Sequence, residues 1–237
     1  VLYKSELMML EMLSNANWER PIYMAITVGS ENRLNMDKHF VQEGLAYRFT
    51  PFDARALGAS IDTEKMYDNL MNKFKFGGID KEGIYIDENV MRMCYTHRRT
   101  FMQLVNQLLK EGKNAKALKA LNYCELMIPA SNVPYDFQNS ALDMAEAYYQ
   151  LGEKEKGDKV IDALANKSVE YVTWYLAMND YNLTISSREI QTQFAVLDEC
   201  VRIMEDDKSS LQENYTKSFQ ELYSMYVMRV KSKQPAQ

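Results

Sequence analysis

A pattern of large and small apolar residues occurs twice in this chain, forty residues apart, and it limits the folds that the chain can adopt. The two copies read Phe101-x2-Leu104-Val105-x2-Leu108…Ala117-x3-Leu121 and Ala141-x2-Met144-Ala145-x2-Tyr148…Gly157-x3-Ile161. A glycine, Gly112 or Gly152, lies between the halves of each copy. Apolar residues three and four positions apart share one helix face, and small residues let a neighbouring helix approach closely. The sequence therefore predicts a mainly α fold built from helical hairpins.

The scarcity of chain breakers supports long helices. Only nine Gly and five Pro occur among 237 residues, fewer than average usage would give. Capping residues mark several helix starts: Asp62-Thr63, Asp87, and Ser-x-x-Glu/Gln patterns at Ser186, Ser209 and Ser210. We expect helices over 62–74, from Asp87 to Gly112, and over 168–181, 187–206 and 210–230.

The repeated pattern resembles the tetratricopeptide (TPR) repeat, W-x2-L-G-x2-Y…A-x3-F…P. The likeness is closest between Phe101 and Pro129, where Val105 replaces the usual glycine. The resemblance implies a TPR-like helical-hairpin array over residues 61–237, with the clearest repeats at 98–129 and 138–169. Two repeats are fewer than a free-standing array needs, so flanking helices must complete the core.

TPR arrays usually bind through the inner face of their first helices, and this resemblance implies a candidate binding groove. By spacing, the polar residues of that groove would be Arg99, Asn106, Lys110, Asn139, Glu146 and Tyr149, with Met102 and Leu142 beside them. The alternative is that Met102 and Leu142 belong to the core and that the polar residues form a solvated helix face.

Residues 1–60 differ in character from the rest and predict a small α/β element. An apolar helix is expected between Leu7 and Leu13, and β-branched and aromatic residues predict strands over 22–28 and 45–50. One or two helical turns are expected over 37–43. Two short strands with a helix between them cannot be stable alone, so this element should pack on the helices of 61–237.

Two motifs in this element are distinctive: Asn17-Trp18-Glu19-Arg20-Pro21-Ile22-Tyr23, and Glu43-Gly44-Leu45-Ala46-Tyr47-Arg48 followed by Pro51. Together they resemble the carboxy-terminal soluble region of a Bacteroidetes-type family of multi-spanning membrane proteins. That family resembles the GT-C glycosyltransferases, which include protein O-mannosyltransferases. Met24 stands where the family more often has Phe. The likeness spans most of residues 5–130.

The resemblance implies a non-catalytic accessory domain on the periplasmic side of the bacterial inner membrane, as part of a larger membrane protein. A chain that begins at Val1 rather than Met fits an excised domain. The catalytic carboxylates of such proteins lie in the membrane part, so no catalytic residue is assigned here. Expected partners are the membrane-spanning part of the parent chain and protein or peptide acceptors. Trp18, Arg20, Tyr47 and Arg48 would form a surface that faces the membrane part or a glycan.

Other interpretations remain open at the sequence level. The motif residues could be scaffolding, with Arg20 or Arg48 paired to Glu43. The chain could be a self-contained TPR-type adaptor that binds a peptide. A hydrolase using Asp80, Glu82, Asp87 and Glu88 is disfavoured, because that run reads as loop and helix-cap charge.

Composition argues against several other classes of function. The net charge is −5, whereas proteins that bind nucleic acids usually present clustered positive charge. No glycine-rich phosphate loop or Gly-x-Ser-x-Gly turn is present. The two histidines and three cysteines lack zinc-ligand spacing, so neither a metal nor another cofactor is expected. Each cysteine lies in an apolar helical pattern and is predicted to be a buried thiol.

Overall fold

The computed structural model describes residues 3–231 and divides the chain into two compact units, Val1–Pro129 and Ala130–Gln237. The predicted boundary near residue 60 thus falls inside the first unit. The described part is mainly α with a small N-terminal sheet, which confirms the predicted fold class.

The first unit begins with helix α1 (Lys4–Ser14) and a three-stranded antiparallel sheet. Its strands are β1 (Tyr23–Ala25), β2 (Phe40–Gln42) and β3 (Ala46–Phe49), in the order β1-β3-β2. The prediction of only two strands is wrong. Helical structure in 37–43 is confined to a 3-10 turn at Asp37–His39, and the next three residues pair with β3. The predicted first strand is also shortened to three residues.

Helices complete the first unit. Helix α2 (Thr63–Asp68) runs into a π-helical turn (Asn69–Lys73), and α3 (Glu88–Lys110) and α4 (Asn114–Met127) form the first hairpin. Two of the predicted caps are confirmed here: Asp62 accepts from the Lys65 amide at 3.1 Å, and Asp87 accepts from the Val90 amide at 2.9 Å. Gly112 has φ of 71°, so the turn between α3 and α4 uses the left-handed conformation that glycine favours.

The second unit contains helices α5 (Ala141–Gln150), α6 (Lys154–Leu176), α7 (Asp180–Ile185), α8 (Ser187–Asp206) and α9 (Gln212–Lys231). Helix α6 packs against α5, α8 and α9 and is the centre of this unit. The prediction of a separate helix over 168–181 is wrong, because α6 continues without a break from Lys154 to Leu176. Helix α8 begins where expected, but the Ser186 side chain makes no capping bond.

Both predicted hairpins therefore form, as α3–α4 and α5–α6. Phe101, Leu104 and Leu108 are fully buried in the first, and Met144, Tyr148 and Ile161 in the second. These are the apolar positions of the repeated pattern. The assignment of the hairpins to the TPR family stays a prediction.

Candidate interaction surface in the N-terminal unit

The second N-terminal motif is organised around the Glu43 carboxylate, which lies just after β2 and is only 5% exposed. Its Oε1 accepts from Arg48 Nε at 2.5 Å and Lys65 Nζ at 3.0 Å, and its Oε2 accepts from the Tyr23 hydroxyl at 2.8 Å. Burial alone would raise the pKa of Glu43, but the hydrogen bonds from Arg48, Tyr23 and Lys65 outweigh it and lower the pKa. Glu43 is therefore an ionised, fully partnered carboxylate that ties β1, β3 and α2 together.

The backbone beside Glu43 is equally constrained. Asn69 Nδ2 donates to the Glu43 carbonyl at 2.6 Å, from the π-helical turn that follows α2. Gly44 has φ of 129°, and a Cβ there would lie 3.1 Å from the Phe74 ring. The backbone conformation therefore favours glycine, and a side chain here would also press on the Phe74 ring. The predicted pairing of Arg48 with Glu43 forms, and the scaffolding interpretation of the motif stays a prediction.

Trp18 and Arg20 of the first motif have a different environment. Trp18 is 53% exposed, has φ of 58°, and stacks on Phe49 with the ring centroids 5.9 Å apart. Arg20 is exposed, and among residues 3–231 it has no ion-pair partner, so the predicted alternative pairing of Arg20 with Glu43 does not form. These two side chains remain available at the surface.

Tyr47 and Arg99 line the same polar cleft, which has a volume of about 350 Å³. One side of the cleft comes from the sheet and the loop after β1, and the other comes from α3. Gln42 Nε2 donates to Gln103 Oε1 at 2.7 Å and fixes this packing. The Arg33 guanidinium lies over the Tyr47 ring, 4.7 Å from the ring centroid. The cleft therefore brings together one residue from each of the two predicted surfaces.

The other groove candidates of the first unit lie on the same helix. Asn106 is half-buried and Lys110 is exposed. Met102 is 1% exposed and belongs to the core, as the alternative interpretation proposed. Arg99, Asn106 and Lys110 are spaced so that they share one face of α3.

Two groove candidates of the second unit are interior residues, which corrects the prediction. Asn139 is fully buried, donates to the Pro134 carbonyl at 2.9 Å and accepts from the Asp136 amide at 3.1 Å. Tyr149 is 8% exposed and donates to Asp158 at 2.8 Å. Burial, together with the hydrogen bond to Asp158, raises the pKa of Tyr149. Repeat spacing places such residues on a helix face but does not show which neighbour covers it.

Glu146 and Leu142, also on α5, are half-buried. Glu146 Oε1 lies 3.8 Å from the Arg202 guanidinium of α8. Burial raises the pKa of Glu146, and the Arg202 charge partly offsets this. Of the second-unit candidates, only Glu146 keeps a partly exposed charge.

An apolar groove of about 400 Å³ lies between α1 and the sheet. Met8, Met9, Met12 and Leu13 of α1 line one side, and the other side includes Ile22, Met24, Phe40 and Phe49. Helix α1 has no buried residue, and Met8 and Met12 are more than half exposed. The sequence predicts an apolar helix here, but it does not reveal that the helix stays uncovered. Methionine side chains adapt to partners of different shape.

The three cysteines are free and buried, as predicted. Burial raises the pKa of Cys94, and raises those of Cys124 and Cys200 to about 12. Within residues 3–231, no group of three or more His, Cys, Asp and Glu side chains is placed to hold a metal ion. Asp87, one of the four carboxylates considered for hydrolysis, caps α3.

The N-terminal part of the chain is similar to a known protein family. Residues 1–68 match the family model described as TMEM260-associated domain 2. No significant match was found among curated proteins or solved structures. In the described part of the chain, no helix is both long enough and apolar enough to cross a membrane. The segment that carries both motifs, the sheet and the apolar groove is thus similar to a domain of a TMEM260-related membrane-protein family.

Proposed function

We propose that this chain is a non-catalytic, periplasmic accessory domain of a membrane-bound glycosyltransferase-like protein, and that it contacts protein acceptors or the membrane-spanning part of its parent. The observation that carries the proposal is that residues 1–68 contain two kinds of feature: partnered residues that hold the fold, and exposed side chains that are free to contact a partner. Glu43, Gly44 and Arg48 set the shape of the segment, while Trp18, Arg20 and the α1 groove remain exposed. The match of this segment to a domain of membrane proteins supports the proposed context.

The chemistry of the inner polar groups favours contact over catalysis. Glu43 has its carboxylate occupied by three donors and a lowered pKa, so it is poorly suited to transfer protons near neutral pH. Burial raises the pKa values of all three thiols, which disfavours the nucleophilic thiolate. These groups stabilise the fold, and the accessible features are aromatic, apolar and cationic.

The proposal is tested in the parent membrane protein. The double variant Trp18→Ala with Arg20→Ala should reduce acceptor glycosylation about ten-fold, because it truncates two side chains of the proposed contact surface. The matched control is Tyr181→Ala with Lys217→Ala, which removes an exposed aromatic and an exposed cation from the second unit. Normal acceptor glycosylation by a parent protein that lacks residues 1–237 would refute the proposal.

A second candidate is a self-contained TPR-type adaptor. It is favoured by the two helical hairpins and by the shared face of Arg99, Asn106 and Lys110 on α3. In that case Arg99→Ala with Lys110→Ala should abolish binding of a peptide that the chain captures. Tyr149 is unsuitable for this test, because its substitution would disturb the interior of the second unit.

A further inference from the structure

The two outer edges of the N-terminal sheet differ in whether another segment covers them. The outer edge of β2 is covered: the Gln42 amide donates to Ser60 at 2.9 Å, and the Gln42 carbonyl accepts from Asp62 at 3.0 Å. The outer edge of β1 has no such cover in residues 3–231. An open strand edge presents unpaired backbone groups that can pair with another strand.

The register identifies the open groups of β1. The Ile26 amide donates to Leu45 at 3.1 Å, and the Phe49 amide donates to Ile22 at 2.9 Å, so Ile22, Met24 and Ile26 point their backbone groups toward β3. By the alternation of an antiparallel ladder, Tyr23 and Ala25 point theirs outward. The Ala25 carbonyl is taken, because it accepts from the Val28 amide at 3.0 Å.

Three consecutive groups are therefore open: the Tyr23 N–H, the Tyr23 C=O and the Ala25 N–H. Within residues 3–231 none of them has a backbone partner. The open stretch is bounded on one side by Pro21, which has no N–H, and on the other by the turn at Val28. Both Tyr23 and Ala25 are exposed. The edge is short and defined, unlike a long edge that pairs without selectivity.

The open edge borders the apolar groove. Tyr23 and Ala25 are themselves among the residues that line it. Met24, between them, lies on the same sheet face as Ile22, Phe49 and Phe40, which also line the groove. A residue paired opposite Met24 would thus direct its side chain to that face, toward the methionines of α1.

We propose that the β1 edge and the α1 groove together bind an extended peptide strand that carries an apolar side chain opposite Met24. The strand runs antiparallel to β1. Its residue opposite Tyr23 donates to and accepts from Tyr23, and its residue opposite Ala25 accepts from the Ala25 N–H. The residue between them inserts its side chain into the groove. This is strand addition with one apolar anchor.

The open backbone groups of β1 favour an extended peptide over an acyl chain or a helix. Two N–H donors and one C=O acceptor in strand spacing are complementary to a peptide backbone that is not engaged in its own secondary structure. An acyl chain offers no hydrogen bond to them, and a helix has already used its backbone groups. The inference rests on the interaction role proposed above, for which it names the partner class and the contact residues.

The test uses the 237-residue chain and a displayed library of random decapeptides. Selection should enrich sequences with an apolar residue between β-forming neighbours. Ala25→Pro should weaken the selected peptide about ten-fold or more, because it removes a donor and blocks the edge, while Ala25→Val keeps the N–H and should bind within about two-fold. The Ala25 N–H does not bond to β3, so the proline leaves the existing ladder intact.

Two further variants test the inference independently. N-methylation of the peptide residue opposite Tyr23 should also cost about ten-fold, with the protein unchanged. Met24→Lys should weaken binding more than Met24→Leu, because only lysine places a charge in the groove. Far-ultraviolet circular dichroism and Trp18 fluorescence verify that each protein variant folds.

Several results would overturn the inference. They are failure to enrich any peptide, enrichment of helical peptides, equal affinity for Ala25→Pro and Ala25→Val, and loss of affinity with Arg99→Ala but not with Ala25→Pro. Displacement of the selected peptide by fatty acid would identify a lipid groove instead. Failure of the proposed function is separate: Ala25→Pro could abolish peptide binding while glycosylation by the parent stays normal.

Discussion

The two units join their elements through carboxylates in different ways. In the first, Glu43 is held by two cations and one tyrosine, Arg48, Lys65 and Tyr23. In the second, α6 supplies Asp158, which accepts from Tyr149 and Ser209, and Asp162, which accepts from Tyr215 at 2.6 Å. Cations thus provide two of the three donors to Glu43, whereas hydroxyl groups are the donors to Asp158 and Asp162, although the second unit also has ion pairs such as Lys167 with Asp136. Helical hairpins are therefore compatible with carboxylates held mainly by cations and with carboxylates held by hydroxyl groups.

The chain contains its own reporters for this comparison. It has two tryptophans, Trp18 in the first unit and Trp174 in the second. Trp174→Phe leaves Trp18 as the only tryptophan, and Trp18→Phe leaves Trp174. Fluorescence during urea unfolding can therefore follow each unit by itself.

The largest expected effect is from Glu43→Gln. The substitution leaves Arg48 partly buried without its carboxylate, so the free energy of unfolding reported by Trp18 should fall by about 3 kcal/mol. The value reported by Trp174 is the internal comparison. Glu64→Gln is the matched control, because Glu64 pairs with Lys113 and Lys116 at the exposed surface and should change little. A change under about 0.5 kcal/mol for Glu43→Gln would contradict the central role of this carboxylate.

Gly157→Ala should lower the stability of the second unit by about 1–2 kcal/mol, as overpacking exceeds the gain in helix propensity. A Cβ at Gly157 would lie 2.7 Å from the Tyr149 ring, which is buried and held by Asp158. The measurement is Trp174-reported unfolding in urea. Adding Tyr149→Leu should make the alanine at 157 less costly; equal cost in both backgrounds would exclude the clash.

Tyr149→Phe should cost about 1 kcal/mol, since Asp158 loses one of its two hydroxyl donors. The change would appear in the thermal and urea unfolding of the second unit. Tyr181→Phe is the control, because Tyr181 is largely exposed. If the two substitutions have equal effects, the Tyr149–Asp158 bond contributes no net stability.

The smallest expected difference is in the response to acid. Hydrogen bonds from its partners hold the pKa of Glu43 below its ordinary value despite burial, so its stabilising effect is present above the unfolded carboxyl pKa of about 4.3 and is lost as pH falls through the folded value. In the second unit, burial raises the pKa values of Glu146 and Asp207. Protonation of these two carboxyls at low pH therefore favours the folded state, which is opposite to the effect of protonating Glu43. The urea midpoint reported by Trp18 should therefore fall more between pH 6 and pH 3.5 than the midpoint reported by Trp174. Glu43→Gln should reduce this difference.

Much of the helical structure was predictable because its signals are local. Asp62 and Asp87 cap helices where their sequence positions indicate, and the repeated apolar positions pack the two hairpins. Strand β2 was missed because three residues carry little periodicity, and pairing with β3 and with residue 61 defines it. Helix α6 was divided in error, although no proline lies between Gly157 and Leu176 to end it.

The candidate site was predictable only where chemistry and sequence proximity coincide. Arg48 is close to Glu43 in sequence, and their opposite charges suggested the pair that forms. The burial of Asn139 and Tyr149, the cleft shared by Tyr47 and Arg99, and the open edge of β1 all depend on how separate elements pack against one another. Spacing within one helix or strand contains no information about such contacts.

The burial of Cys94, Cys124 and Cys200 has a practical consequence for experiments on this chain. With the pKa values of Cys124 and Cys200 near 12, the thiolate fraction of these two groups at pH 7 is on the order of 10⁻⁵. A cysteine introduced at an exposed position such as Lys217 would react with a maleimide far faster than the native thiols. Fluorophores or spin labels can thus be attached at chosen positions in either unit while all three native cysteines are retained.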